Sequence, residues 1–202
     1  MAERKENERV EQRRDLLAWF DLQQRDLPWR RSRDPYRVWV SEIMLQQTRV
    51  ETARPYFERF IRAFPSVEDL ASAEVEAVLS QWSGLGYYQR ARRLHAAARQ
   101  IVAGSARFPA SVEEWLQLPG VGPYTAAAIA SIVLGVPEPA IDGNVMRVVG
   151  RLLALEEDPR KKSGYRAIQT EAKTLLDHQR PGDSNQAIME IGATLCLPRR
   201  PR

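Results

Sequence analysis

A chain of 202 residues, 44% hydrophobic and 28% charged, is long enough for one domain or two small ones around a substantial core. No apolar run approaches the ~20 residues that span a bilayer, and the opening M-A-E-R-K-E-N-E-R is too charged for a signal peptide, so a cytosolic protein is expected. One cysteine excludes an internal disulfide, and with two scattered histidines it offers no zinc site. The net charge of +4, carried mainly by arginine, suits bidentate phosphate contacts but does not by itself indicate nucleic acid.

Taken in chain order, residues from about Glu8 to Gln24 set Val10, Leu16, Leu17, Trp19 and Phe20 among charges, an amphipathic helix pattern. The stretch R-D-L-P-W-R-R-S-R-D-P-Y reads as an ordered loop, and Asp34-Pro35 as a helix start with Asp at the N-cap. The helix from about Tyr36 to Gln46 carries an anomaly. Val38 and Leu45 share a face, and the position between them is Glu42. Glu42 is either a surface residue out of phase or an acid placed inward.

Further helices are expected at Val50–Phe64, Ser66–Leu70, Glu74–Trp82 and from Tyr87 to about Ala103, with Gly84 and Gly86 breaking the chain between the last two. Of the adjacent Tyr87 and Tyr88, one should pack and the other face out. Beside Arg90, Arg92 and Arg93 an outward aromatic could be a base-stacking platform, or these arginines could be no more than a solvated face. Ser111 opens a short helix, and helices follow at Tyr124–Leu134, Asn144–Leu153, Arg166–Asp177 and Asn185–Leu195. No strand alternation is visible, so the fold class is all-α.

The stretch Leu116–Val148 joins a tight turn, Gly120–Val121–Gly122, to a small-residue helix and then to Asp142 ahead of another helix. Unpaired N–H groups at the first helix make a seat for a phosphate, and glycine lets it come close. A G-x-G turn alone is also an ordinary helix connection.

Glu42 and Asp142 gain interest as a pair whose settings differ. Asp142 precedes a helix, where N–H donors and the dipole favour the anion, whereas Glu42 on an apolar face would be desolvated and its pKa raised. One ionised and one protonated carboxyl is the pattern for cleavage at an anomeric carbon. Glutamic acid at its ordinary pKa of ~4.3 is only about 0.2% protonated at pH 7, and bringing it to ~7 needs roughly 3.7 kcal/mol of bias against the anion. Only a buried site can supply that, so this chemistry requires Glu42 to be buried.

L-P-G-V-G-P-Y-T-A-A-A-I followed by D-G-N-V resembles the helix-hairpin-helix base-excision DNA glycosylases, and V-P-E-P-A-I-D-G-N-V-M-R-V resembles their adenine-specific branch, the MutY family. V-S-E-I-M-L-Q-Q-T-R-V, R-D-L-P-W-R and G-L-G-Y-Y agree with it in order, so the likeness runs from Arg25 to Cys196. It implies a two-lobed fold with a cleft, a six-helix barrel at 22–136 and a second lobe from 1–21 plus 137–202. It implies that Glu42 protonates N7 of adenine while Asp142 stabilises or captures the oxocarbenium ion, with Tyr124 and Asn144 assisting. Arg25, Leu27, Trp29, Arg30 and Gln186 would form the adenine pocket. Gln47 and Tyr87 would fill or wedge the base stack, Thr48 would contact the DNA, and Gly120, Val121 and Gly122 would grip the backbone. The implied partner is double-stranded DNA with adenine opposite 8-oxoguanine or guanine, bound by a monomer in a bacterial-type cytoplasm.

Relatives that also cut the strand carry lysine where this sequence has Tyr124, so the resemblance points to base removal alone. Thymine-mismatch relatives share the tyrosine but carry D-A-N rather than D-G-N. The family continues as C-x6-C-x2-C-x5-C around a [4Fe–4S] cluster, whereas this sequence has Cys196 and its next ligand would fall at 203. The cluster is therefore expected to be absent or incomplete in this chain, as is the family's C-terminal recognition domain. A DNA-binding remnant with little turnover, or a thymine-mismatch or endonuclease III-like glycosylase, is the alternative.

Overall fold

A computed structural model describes residues 2–104 and 107–201. In chain order its α-helices are α1 (Ala2–Gln23), α2 (Pro35–Leu45), α3 (Val50–Ala63), α4 (Val67–Ser72), α5 (Val75–Trp82), α6 (Gln89–Ala103), α7 (Val112–Leu116), α8 (Pro123–Ile129), α9 (Gly143–Leu152), α10 (Lys162–Thr174) and α11 (Pro181–Thr194). A 3₁₀ turn at Pro28–Arg30 and a π-helical turn at Ala130–Leu134 complete the set, and no strand occurs among the described residues. The all-α expectation is borne out. None of the described helices is long and apolar enough to cross a membrane.

The chain divides into two units, 26–129 and 1–25 plus 130–202. In the first, α3 puts Ala53, Phe57, Phe60 and Ile61 on one buried face, and Pro55 lies within the helix. Aromatic rings dominate this core: Phe60 meets Trp82 and Phe64 edge-on, Trp29 meets Phe57, and Trp39 and Trp115 lie against each other. Ser66 and Asp69 form a reciprocal capping box that fixes the entry to α4.

In the second unit, Ile141, Val145 and Val149 pack with Ile168, Ala172, Leu175 and Ile188. Leu17 and Phe20 of α1 are buried, but Val10 is 51% exposed, so the amphipathic reading holds only for the second half of that helix. Arg9 reaches Glu171 and donates to Thr174 Oγ1 at 2.7 Å.

The boundaries differ from the sequence reading in three instructive places. The single helix expected over 124–134 is α for seven residues and π for the next five. The wide π turn brings backbone against α11, where a Cβ on Gly182 would stand 2.6 Å from Ile132 Cα. α11 begins at Pro181, four residues earlier than expected, because proline at the first helical position loses no hydrogen bond. α10 likewise begins at Lys162, ahead of the expected Arg166.

Candidate active site

α2 starts from Asp34, whose side chain accepts the Arg37 N–H at 2.8 Å, and is buried almost all the way round. That burial includes Glu42, only 7% exposed, which settles the question its spacing left open. Its Oε2 accepts the Tyr124 hydroxyl at 2.9 Å.

Tyr124 stands in the first turn of α8, where the hairpin delivers it. The hairpin closes through the Val121 N–H to the Leu118 carbonyl at 3.1 Å, with Gly120 at φ +83°. A side chain there would suffer twice, from the left-handed backbone and from Arg93, whose Cβ would lie 3.0 Å from an added Cβ. Gln46 donates to Thr125 Oγ1 at 3.2 Å and to the Gly120 carbonyl at 3.4 Å, tying the end of α2 to the hairpin. Glu42 and Tyr124 are thus held in register by their own unit.

The other unit builds a second carboxylate setting. Asp142 caps α9: its Oδ1 accepts the Val145 N–H at 2.8 Å and its Oδ2 the Asn144 amide at 2.8 Å. Asn144 Oδ1 in turn accepts from Arg147 at 2.7 Å, so its nitrogen is the atom left to face Asp142. Arg147 is itself fixed by the Gly192 and Cys196 carbonyls, both at 2.7 Å.

The loop before Asp142 hangs on buried Asn185, which accepts from Ala140 N–H at 3.0 Å and donates to Ser131 and the Glu138 carbonyl at 2.9 and 2.8 Å. The N-cap donors favour the Asp142 anion as expected, but they do not set the net direction of its pKa. Burial pushes its carboxyl up from the ordinary value, and Val145, Asn144 and the Arg147 charge offset this only in part.

The residues read as an adenine pocket fall into both units. Arg25 is held by Glu190, buried to 1% exposure, through its backbone N–H at 3.2 Å and a two-pronged ion pair at 2.6 and 3.1 Å. Glu190 went unnoticed in the sequence, since nothing local marks a glutamate on α11 as the partner of a residue 165 positions away. Gln186 is half-buried on the same helix. Leu27 and Trp29 are buried in the 26–129 unit, with half-buried Arg30 completing the 3₁₀ turn.

Gln47 and Tyr87 are both exposed and both left-handed, at φ +57° and +50°. Such backbone costs about 1–3 kcal/mol for a residue with a side chain, so surrounding structure must impose it. They border one depression of about 370 Å³ with Tyr88, Arg92 and Arg93. Thr48, half-buried, follows Gln47 with its N–H on the Leu45 carbonyl at 3.2 Å. The sequence reading requires two corrections here. Both tyrosines face out, at 61% and 45% exposure, because the left-handed step at Tyr87 removes the alternation a regular backbone would impose. Arg90, grouped with the solvated arginines, is buried.

Cys196 is half-buried, with an Arg151 nitrogen 3.1 Å from its sulfur. A [4Fe–4S] cluster needs four ligands, commonly all thiolates. The chain holds one cysteine, and no group of three or more His, Cys, Asp or Glu placed to hold a metal occurs among the described residues. The residues of this chain therefore do not fit the cluster.

Residues 40–173 match the HhH-GPD superfamily base excision DNA repair protein family, and the chain belongs to that superfamily. Among curated proteins it is similar to the adenine DNA glycosylase of Rattus norvegicus, at 48% identity over 94% of this chain and 39% of that protein. It is also similar to that of Buchnera aphidicola subsp. Schizaphis graminum, at 36% identity over 93% of this chain and 54% of that protein. The chain spans roughly two-fifths to half the length of these relatives.

Among solved structures, a thermostable thymine-DNA glycosylase aligns with a TM-score of 0.87 and 28% identity, covering 100% of this chain and 92% of that one. A trapped endonuclease III–DNA covalent intermediate shares the fold, with a TM-score of 0.80 and 18% identity over 98% and 90% of the two chains.

Proposed function

We propose that this chain is the catalytic part of a monofunctional adenine DNA glycosylase, removing adenine mispaired with 8-oxoguanine or guanine from duplex DNA. The observation that carries the reading is Glu42: a carboxyl 7% exposed, on a helix, hydrogen-bonded to the hydroxyl of Tyr124. Buried acids of this kind protonate leaving groups. The likeness to adenine DNA glycosylases over nearly the whole chain supports adenine as the leaving group.

In this reading the target nucleotide leaves the stack, since its glycosidic bond is out of reach within a duplex. Glu42 donates its proton to N7 of adenine as the bond from N9 to C1′ breaks, so the bonding electrons depart with a neutral base. Asp142 stabilises the oxocarbenium ion through its charge, or captures C1′ covalently, and water completes the hydrolysis to an abasic site. Asn144 and Val145 hold the Asp142 oxygens in place. Tyr124 stands where strand-cutting relatives have a lysine, so no amine is offered there for a Schiff base. Arg25, Leu27, Trp29, Arg30 and Gln186 are the residues proposed to recognise the base, with Glu190 fixing Arg25. Gln47 and Tyr87 occupy the gap in the duplex while Thr48, Gly120, Val121 and Gly122 bear on the DNA beside it. The protein acts as a monomer on DNA.

The test is a glycosylase assay on a duplex with adenine opposite 8-oxoguanine, with and without alkali. The expected product is an abasic site whose strand breaks only after alkali. Breakage without alkali sinks the monofunctional reading, and binding without product favours a DNA-binding remnant. The full-length likeness to a thymine-DNA glycosylase gives a second reading its footing. Release of thymine from a guanine mismatch, with adenine untouched, would establish it instead.

A further inference from the structure

The two left-handed residues at the depression share one hidden support. The Arg90 guanidinium lies beneath them, 9% exposed, between the end of α2 and the turn that follows α5. Its Nη1 donates to the carbonyls of Met44 at 2.8 Å and Ile43 at 3.1 Å, and also to that of Gln46. Its Nη2 donates to the Gly86 carbonyl at 3.1 Å and approaches that of Leu85 at 3.5 Å. The same cation lies 5.4 Å from the ring centres of both Tyr87 and Trp82, and Trp82 Nε1 donates to the Gly86 carbonyl at 3.0 Å.

This is an arrangement stability alone does not demand. A buried cation pays desolvation that an apolar side chain of like volume would avoid. The Arg90 Nε is buried without a hydrogen-bond partner. What the guanidinium provides is a fork. One nitrogen serves carbonyls just before Gln47 and the other serves carbonyls just before Tyr87, which no single ammonium can do with the same geometry.

We propose that Arg90 is the positioning residue that clamps the Gln47 and Tyr87 turns into one rigid wedge, preorganised to enter duplex DNA as the target nucleotide leaves it. The proposal rests on the glycosylase reading above. Its physical advantage is that side chains already held in the inserted geometry lose little freedom on binding, so more of the contact energy goes into unstacking the duplex. Phosphate contacts elsewhere set overall affinity, so loss of the clamp separates binding from extrusion.

The experiment uses a duplex with 2-aminopurine beside the target adenine, whose fluorescence rises on unstacking, together with single-turnover base release. Arg90→Lys is expected to bind undamaged duplex within about threefold of the unsubstituted chain, since the positioning contacts to phosphate remain. Its unstacking signal should fall to near that of free duplex, and base release should drop roughly 10- to 100-fold. Unchanged unstacking and release in Arg90→Lys would overturn the proposal. So would slowed release with full unstacking, which would place the effect at Glu42 on α2, the helix whose last carbonyls Arg90 holds. If the unsubstituted chain neither unstacks nor releases adenine, it is the glycosylase reading that fails.

Should Arg90→Lys not fold, arginine side-chain NMR of the unsubstituted chain decides. The Arg90 guanidinium protons should exchange slowly and shift on duplex addition together with the Gln47 and Tyr87 amides. An Arg90 signal indifferent to DNA overturns the clamp.

Discussion

Glu42 lies in the last turn of a helix buried nearly all round, and a tyrosine hydroxyl is its hydrogen-bond donor across the hairpin. Asp142 lies ahead of a helix, gathers a backbone N–H and an amide, and stands at the end of a relay through Asn144 to Arg147. The first carboxyl is buried in a packed helix, and the second caps a helix beneath hydrogen-bond donors and a nearby cation. In the proposed mechanism the first gives up a proton and the second keeps a charge. Burial lifts the Asp142 carboxyl above its ordinary value. The donors around it therefore limit a rise rather than produce a fall.

The sharpest way to break the comparison is Asp142→Asn. Asparagine is an equally good N-cap, so α9 should survive. The charge facing the developing cation is lost, and turnover should fall roughly 10³-fold or more while duplex binding stays measurable. Full activity in this variant would remove Asp142 from the chemistry. Glu42→Gln tests the other side. It keeps size and a hydrogen-bonding oxygen for Tyr124 but carries no acidic proton, and the loss should be about 10²- to 10⁴-fold in single-turnover release. If adenine release survives there, the proton comes from elsewhere.

Tyr124→Phe should do less. It removes one hydroxyl from a carboxyl that stays buried, and a hydrogen bond to a neutral acid is worth about 0.5–1.5 kcal/mol, so a loss of up to about tenfold is expected. A loss as large as that of Glu42→Gln would mean the tyrosine is the donor and the glutamate its support.

How much of this was legible beforehand follows the range of each interaction. Asp34 and Ser66 announced helix starts, and L-P-G-V-G announced the hairpin, because caps and turns are read within four residues. Glu42 was recognisable as misplaced in its helix, but its burial belongs to the packing of the whole unit. Arg90 was indistinguishable from Arg92 and Arg93, since its carbonyl partners lie 44 to 47 residues back along the chain. The partnership of Arg25 with Glu190 spans 165 residues and left no local sign. The π turn was hidden because a small apolar run favours helix without specifying its pitch, and close approach by Gly182 decided it.

Asp142 shows the same division, and it supplies the smallest predicted effect. The N-cap donors were local and readable, whereas the desolvation that outweighs them was not. An acid whose folded pKa lies above its unfolded value of 3.8 binds its proton more tightly when folded. Its contribution to stability is therefore present below that unfolded value and is lost as pH rises through the raised folded one. Above the raised folded value the ionised Asp142 weakens the fold it serves. Asparagine has no proton to lose, so Asp142→Asn should gain relative stability as pH rises from 3.8 through that raised value, read as a shift in urea midpoint against the unsubstituted chain. A pH-independent difference would mean that Val145, Asn144 and Arg147 fully offset the burial. A difference of opposite sign would return Asp142 to the purely hydrogen-bonded anion its sequence setting suggests.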